Sequence, residues 1–216
     1  MDTKLIIGAA AVAVVGIWMF RKKNQEKVQV RNANKASQDL TDPATSAAVK
    51  IKQALNLRKL PAVGWTGTTV SSSNGDTEAR ANLFNACLEV TSWKDVQSKF
   101  SQLCDNEVTL LDALQRNTDT ETFNTAKQLL QADKVVTKTA CNALLTLYDE
   151  KNKAISDGVS HEFPANTILG AFVSSYNGNT SFINGFQWDG DFLFADLYST
   201  KGYTATNKVN IVNPNK

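Results

Sequence analysis

Residues 118–148, TDTETFNTAKQLLQADKVVTKTACNALLTLY, change their hydrophobic period partway along. Phe123, Ala126, Leu129 and Leu130 recur at helical spacing, behind a Thr118-x-x-Glu121 capping box. From Lys134 onward the apolar residues come instead in short β-branched and leucine-rich runs, 135–140 and 143–148, which read as strands. The junction makes the chain α+β, with a helical part over residues 42–133 and a β part over 134–216.

Working back from the junction, the spacing predicts a small five-helix bundle. Asp42, or Thr41, caps the first helix with Pro43 at its first position, and Ala48, Ile51, Ala54 and Leu55 share a face. Asp76 opens the second, with Leu83, Phe84, Cys87 and Val90 inward. Ser92 with Asp95 nears a capping box for the third, faced by Trp93, Val96, Phe100 and Leu103. Leu110, Leu111 and Leu114 mark a short fourth, and the quoted stretch supplies the fifth. Residues 58–75, between the first two helices, form a Gly/Ser/Thr-rich loop too long to be only a turn. It carries Trp65, either folded back as a lid over the bundle or presented to a partner as an anchor.

Working forward, turn signals at 149–152, 177–179, 189–191 and 201–202 separate runs at 168–174, 180–183, 192–197 and 209–212. Strands this short and regular predict a small antiparallel barrel or sandwich, and Ile168-Leu169-Gly170 with the closing Val209-Asn210-Ile211-Val212 resembles an SH3-like barrel. Most of the aromatics belong in its core. Phe186 and Trp188, beside Gly185 and Gly190, are candidate exposed contact residues.

At the other end, residues 5–20, LIIGAAAVAVVGIWMF, carry no charge, and Arg21, Lys22 and Lys23 follow at once. Sixteen residues make about 24 Å of helix, a short but workable membrane span. The expected anchor residues are Leu5, Ile6, Ile7, Val12, Val14, Val15, Ile17, Trp18, Met19 and Phe20, with Arg21, Lys22 and Lys23 at the lipid headgroups. A cleavable signal peptide is the rival reading. Its small-residue site, Ala9-Ala10-Ala11, would fall inside the apolar run, with the charge on the wrong flank. The positive-inside rule then puts the bulk of the chain on the cytoplasmic side. Three cysteines, an odd set without metal-type spacing, agree with a reducing compartment. Ala9, Ala13 and Gly16 would also let two spans pack closely, so a homo-oligomer is possible. Residues 1–23 are thus the anchor with its flank, and the polar residues 24–41 a stalk.

The order of helices, with Gly75-Asp76-Thr77-Glu78 entering the second, resembles a single annexin-type repeat over roughly residues 47–131. That resemblance implies a compact helical shape and places Asp119 or Glu121 where the family's distal calcium ligand falls. The Gly-x-Gly-Thr order is absent, and calcium takes about six to eight oxygens where few can be named. The bundle shape is therefore kept, and no cofactor or metal is expected.

Other chemistry is sparse. His161 is the only histidine, in a predicted loop, and no Gly-flanked serine nucleophile or phosphate-binding glycine loop is present. Net charge is +2, from 23 basic and 21 acidic residues, which gives no nucleic-acid footprint. The expectation is a non-enzymatic, membrane-anchored structural or interaction protein whose partners are a lipid bilayer and other proteins. The Asn/Thr/Lys-rich usage resembles that of structural proteins from flavobacterial-type phages with an internal membrane. The resemblance implies a minor virion component tethering bilayer to capsid or vertices. Two alternatives stand beside it: a bacterial inner-membrane adaptor with a cytoplasmic head, and an anchored cell-wall lytic or secretion-system component.

Overall fold

The computed structural model describes residues 42–60, 64–68, 77–190 and 195–216. The expected anchor, its basic flank and the stalk lie outside them, as do Gly75, Asp76 and part of the 58–75 loop. Among the described residues no helix is long and apolar enough to cross a membrane.

Among the described residues the fold is mixed α+β: five α-helices, a short 3-10 turn at Thr206–Lys208, a two-stranded hairpin and one seven-stranded antiparallel sheet. The helices are α1 (Pro43–Ala54), α2 (Thr77–Leu88), α3 (Trp93–Leu103), α4 (Leu110–Asn117) and α5 (Thr120–Gln131). Side-chain caps fix their starts. Asp42 accepts the Ala44 and Thr45 amides at 3.3 and 3.2 Å, Ser92 accepts that of Asp95, and Thr109 that of Asp112. The expected Thr118-x-x-Glu121 box is displaced by one residue. Asp119 is the N-cap of α5, accepting the Thr122 amide at 2.7 Å, while Thr118 Oγ1 donates back to the Leu114 carbonyl of α4. A carboxylate is the better acceptor at a helix N-terminus, so the hydroxyl is free to close the preceding helix.

The predicted 58–75 loop contains a hairpin, β1 (Arg58–Leu60) with β2 (Gly64–Thr66), in antiparallel register Lys59↔Trp65. Three-residue strands are too short to display an alternation in sequence.

The sheet comprises β3 (Lys134–Thr137), β4 (Cys141–Tyr148), β5 (Val159–Phe163), β6 (Ile168–Tyr176), β7 (Asn179–Gly190), β8 (Ala195–Ala205) and β9 (Val209–Val212). Their order is β5-β4-β8-β7-β6-β3-β9. This corrects the expected sandwich, which needs two facing sheets: the described residues of 134–216 form a single sheet, whose outer strands β5 and β9 are not paired with each other. It is nevertheless rolled. β3 and β4 stand four places apart, about 19 Å across a flat sheet at about 4.8 Å per strand. The chain covers that gap in four residue steps, Thr137 to Cys141, a reach of about 14 Å. Only curvature brings the two ends within reach. β5 is a second correction, since His161, Glu162 and Phe163 form an edge strand paired with β4 rather than a loop.

Rolling gives the sheet two apolar faces. The inner one gathers Val135, Cys141, Ala143, Leu169, Phe182 and Val209. Gly202 lies opposite Phe182 and leaves room for its ring: a Cβ there would stand 2.7 Å from Phe182 Cζ. The outer face contributes Ala171 and Leu197 to the helical core, with Ile183 and Phe186 packed against it. Residues 42–216 therefore form one compact unit, and the change of secondary structure near residue 133 is not a break in packing. α2 is the central element, touching α1, α5, β7 and β8. Eight of its twelve residues are buried, including Arg80.

Candidate functional site: the Arg80 cleft and the helix–sheet joint

β7 outruns β6 at the helix–sheet joint. β6 pairs with β7 only as far as Ile183, whereas β7 continues beside β8 to Gly190. The backbone of Phe186 therefore lacks a strand on its β6 side, and Asn85 of α2 fills the vacancy. Its Oδ1 accepts the Phe186 amide at 2.7 Å and its Nδ2 donates to the Phe186 carbonyl at 2.8 Å. The Phe186 ring meets Phe84 edge-on, with centroids 5.1 Å apart. Phe186 thus bolts the sheet to the helices. It is half-buried, not the exposed contact expected from its glycine-flanked position.

Beside this bolt lies a cleft of about 430 Å³, floored by Phe84, Phe186 and Leu197. α2 supplies Arg80, α5 supplies Glu121 and Thr125, the turn after β4 supplies Asp149, Glu150 and Asn152, and β8 supplies Ser199. Arg80 is the unusual member. Its side chain is only 7 % exposed, and its nearest carboxylate oxygen, Oε1 of the largely exposed Glu121, stands 4.0 Å from Nη2. Nε is buried without a hydrogen-bond partner, and the guanidinium carbon lies 6.0 Å from the Phe84 ring centre. A guanidinium carries five N–H donors, and a buried charge is costly unless paired and hydrogen-bonded. A long ion pair to an exposed carboxylate contributes little. Arg80 is held by packing against Phe84 with most of its donor capacity unspent.

Trp65 takes the lid position. It is half-buried against the helical core, with Lys52 Nζ 3.8 Å from its ring centre. Lys52 in turn donates to the Leu103 carbonyl at 2.7 Å, closing the end of α3. Trp188 is 40 % exposed and remains on the surface. The structure does not bring the three contact candidates together: Trp65 is on the hairpin, and Phe186 and Trp188 are on β7.

The annexin-type positions are occupied otherwise. Asp119 is committed to its cap, Glu121 leans toward Arg80, and Asp76 is outside the described residues. His161 is exposed on β5. All three thiols are buried and free, and burial pushes that of Cys87 up to about 12. Beneath α5 a further charge is buried: Lys134, on β3, donates to the Leu129 carbonyl and, at 3.1 Å, to that of Ala132. It closes the helix C-terminus, where a cation is favoured. Burial lowers its ammonium to about 8.

Sequence reasoning missed the cleft. Arg80 is one charge in a helix buried on several sides, and the carboxylates come from separate segments. Comparison with known proteins returned no matching family model, no matching curated protein and no matching solved structure.

Proposed function

We propose that this chain is a membrane-anchored structural or interaction protein. In this reading residues 5–20 are its span and the unit Asp42–Lys216 is its head. The observation that carries the reading is the uncharged sixteen-residue run with Arg21, Lys22 and Lys23 directly behind it. Support comes from where the compact unit starts. Its first cap is Asp42, which leaves residues 24–41 as a polar tether long enough to hold the head away from lipid. The setting that fits best is a minor component of an internal-membrane virion, with the head between bilayer and shell.

Cysteine labelling of Lys27→Cys in intact cells, together with alkaline extraction of membranes, tests the reading. The expected outcome is a chain that stays with the membrane and is labelled by an impermeant maleimide only after lysis. Extraction into the soluble fraction would overturn the anchor, and rapid labelling from outside would overturn the orientation. Mass spectrometry of purified lipid-containing particles tests the virion setting, which fails if the chain is absent from them.

A further inference from the structure

We propose that the Arg80 cleft is a binding site for a dipolar group, a carboxylate joined by a short aliphatic stem to a cation, as in a basic amino acid or a chain ending in one. Three observations converge. Arg80 is more than nine-tenths buried, lines the cleft, and has an unpartnered Nε with only a long contact to Glu121. Such a guanidinium fits a carboxylate through paired N–H donors. Phe84, Phe186 and Leu197 make an apolar floor that suits a methylene stem. Asp149 and Glu150, adjacent on the turn after β4, form an acidic rim with Glu121.

The charge balance selects the class of ligand. Among the described lining residues one buried cation faces three carboxylates, and Lys201, which donates to Asn152 at the cleft, offsets only part of that negative charge; a compact dianion such as phosphate is attracted by Arg80 and repelled by the rim. A simple diamine satisfies the rim and leaves the buried guanidinium unpaired, the costlier omission. Only a ligand with both charges pairs both ends. The cleft's volume lies within the about 300–1,000 Å³ usual for small-ligand sites. The assignment stands apart from the anchoring proposal, since a failed membrane test leaves it untouched and its own failure leaves the anchor untouched.

Calorimetric titration of the full chain in detergent micelles tests it with five probes: L-lysine, acetyl-Gly-Gly-Lys with a free carboxylate, the same peptide as its amide, cadaverine and inorganic phosphate. One or both of the first two should bind, and the other three should bind at least about tenfold more weakly, as expected for loss of one charge-assisted partner. Binding of lysine alone makes the ligand a free amino acid, and binding of the peptide alone makes it a chain terminus. Arg80→Gln should cost about tenfold to a hundredfold in affinity. Should that variant fail to fold, Glu150→Gln decides: Glu150 is exposed on the turn, and its neutralisation should weaken binding at least about threefold, with a shallower salt dependence. The proposal is overturned if neither lysine nor the acid peptide binds at millimolar concentration. It is equally overturned if phosphate or cadaverine binds as tightly, or if the folded variants bind like the parent.

Discussion

Asn85 acts as a one-residue substitute for a missing strand, and removing it gives a sharp test of the helix–sheet joint. Asn85→Ala deletes two hydrogen bonds to the Phe186 backbone, at 2.7 and 2.8 Å. Each contributes about 1 kcal/mol net, and more if the abandoned backbone group stays dry. Asn85 is only half-buried, so water reaches part of the gap and the lower figure applies. The expected loss is about 2 kcal/mol, or about 4–8 °C in Tm for a chain of this size. Thermal unfolding of the full chain in detergent, followed by circular dichroism, measures it. Asn85→Asp sharpens the test. Its carboxylate still accepts the Phe186 amide but turns a second acceptor on the Phe186 carbonyl. Protonation restores the donor, so the folded state holds the proton more tightly than the unfolded chain. The variant should be closest to the parent near pH 4 and fall away as pH rises. A change below about 0.5 kcal/mol for Asn85→Ala, the range of ordinary surface substitutions, would refute the strand-substitute reasoning. So would an Asp variant that tracks the parent at every pH.

Lys134 should make stability rise with alkalinity. Its folded value near 8 lies below the ordinary 10.5, so between those values the unfolded chain binds the extra proton and folding gains, by up to about 3 kcal/mol. Denaturant titrations from pH 7.5 to 9, below the range in which ionisation of the Cys87 thiol favours the unfolded chain, should show the first part of that gain in the parent and not in Lys134→Met. Gly170→Ala should be severe, about 3 kcal/mol or outright unfolding, because its φ is +137° and a Cβ would stand 1.8 Å from the Ile183 carbonyl oxygen. Gly202→Ala should cost less, about 1–2 kcal/mol, since the atoms it meets are the Leu145 methyl at 2.5 Å and the Phe182 ring. Trp65→Ala should lose about 2 kcal/mol as a half-buried lid, and Trp188→Ala less than about 0.5 kcal/mol, both read from urea unfolding midpoints.

What the sequence revealed depends on how local its cause is. Asp42 and Ser92 were legible as caps because a cap is a relation among residues three apart. Thr118 and Asp119 are both good capping residues side by side, and only the preceding helix, whose Leu114 carbonyl takes the Thr118 hydroxyl, leaves the cap to Asp119. β5 escaped notice because an edge strand exposed on both sides has no alternation to read: Val159, Ser160, His161 and Glu162 are all exposed. The cleft was the least legible part. α2 is buried on several sides, so Arg80 sits outside any simple amphipathic pattern. Its acidic neighbours Glu121 and Glu150 approach only through the helix–sheet joint.

The sheet order also sets a timetable. β3 is among the first strands to emerge from the ribosome, yet one of its neighbours is β9, with Lys134 opposite Val212 and Thr137 opposite Val209. Its other neighbour, β6, is more than thirty residues downstream of it, with Lys134 opposite Ala171. The tail ties off the helices as well, because the Pro214 carbonyl accepts the Trp93 amide at the start of α3, at 2.7 Å. Both layers are therefore fastened by residues 209–216, which follow every other strand and helix of the unit. A growing chain carries an open seam beside β3 until residues 209–216 emerge, and a short deletion within them acts on β3 as directly as on β9.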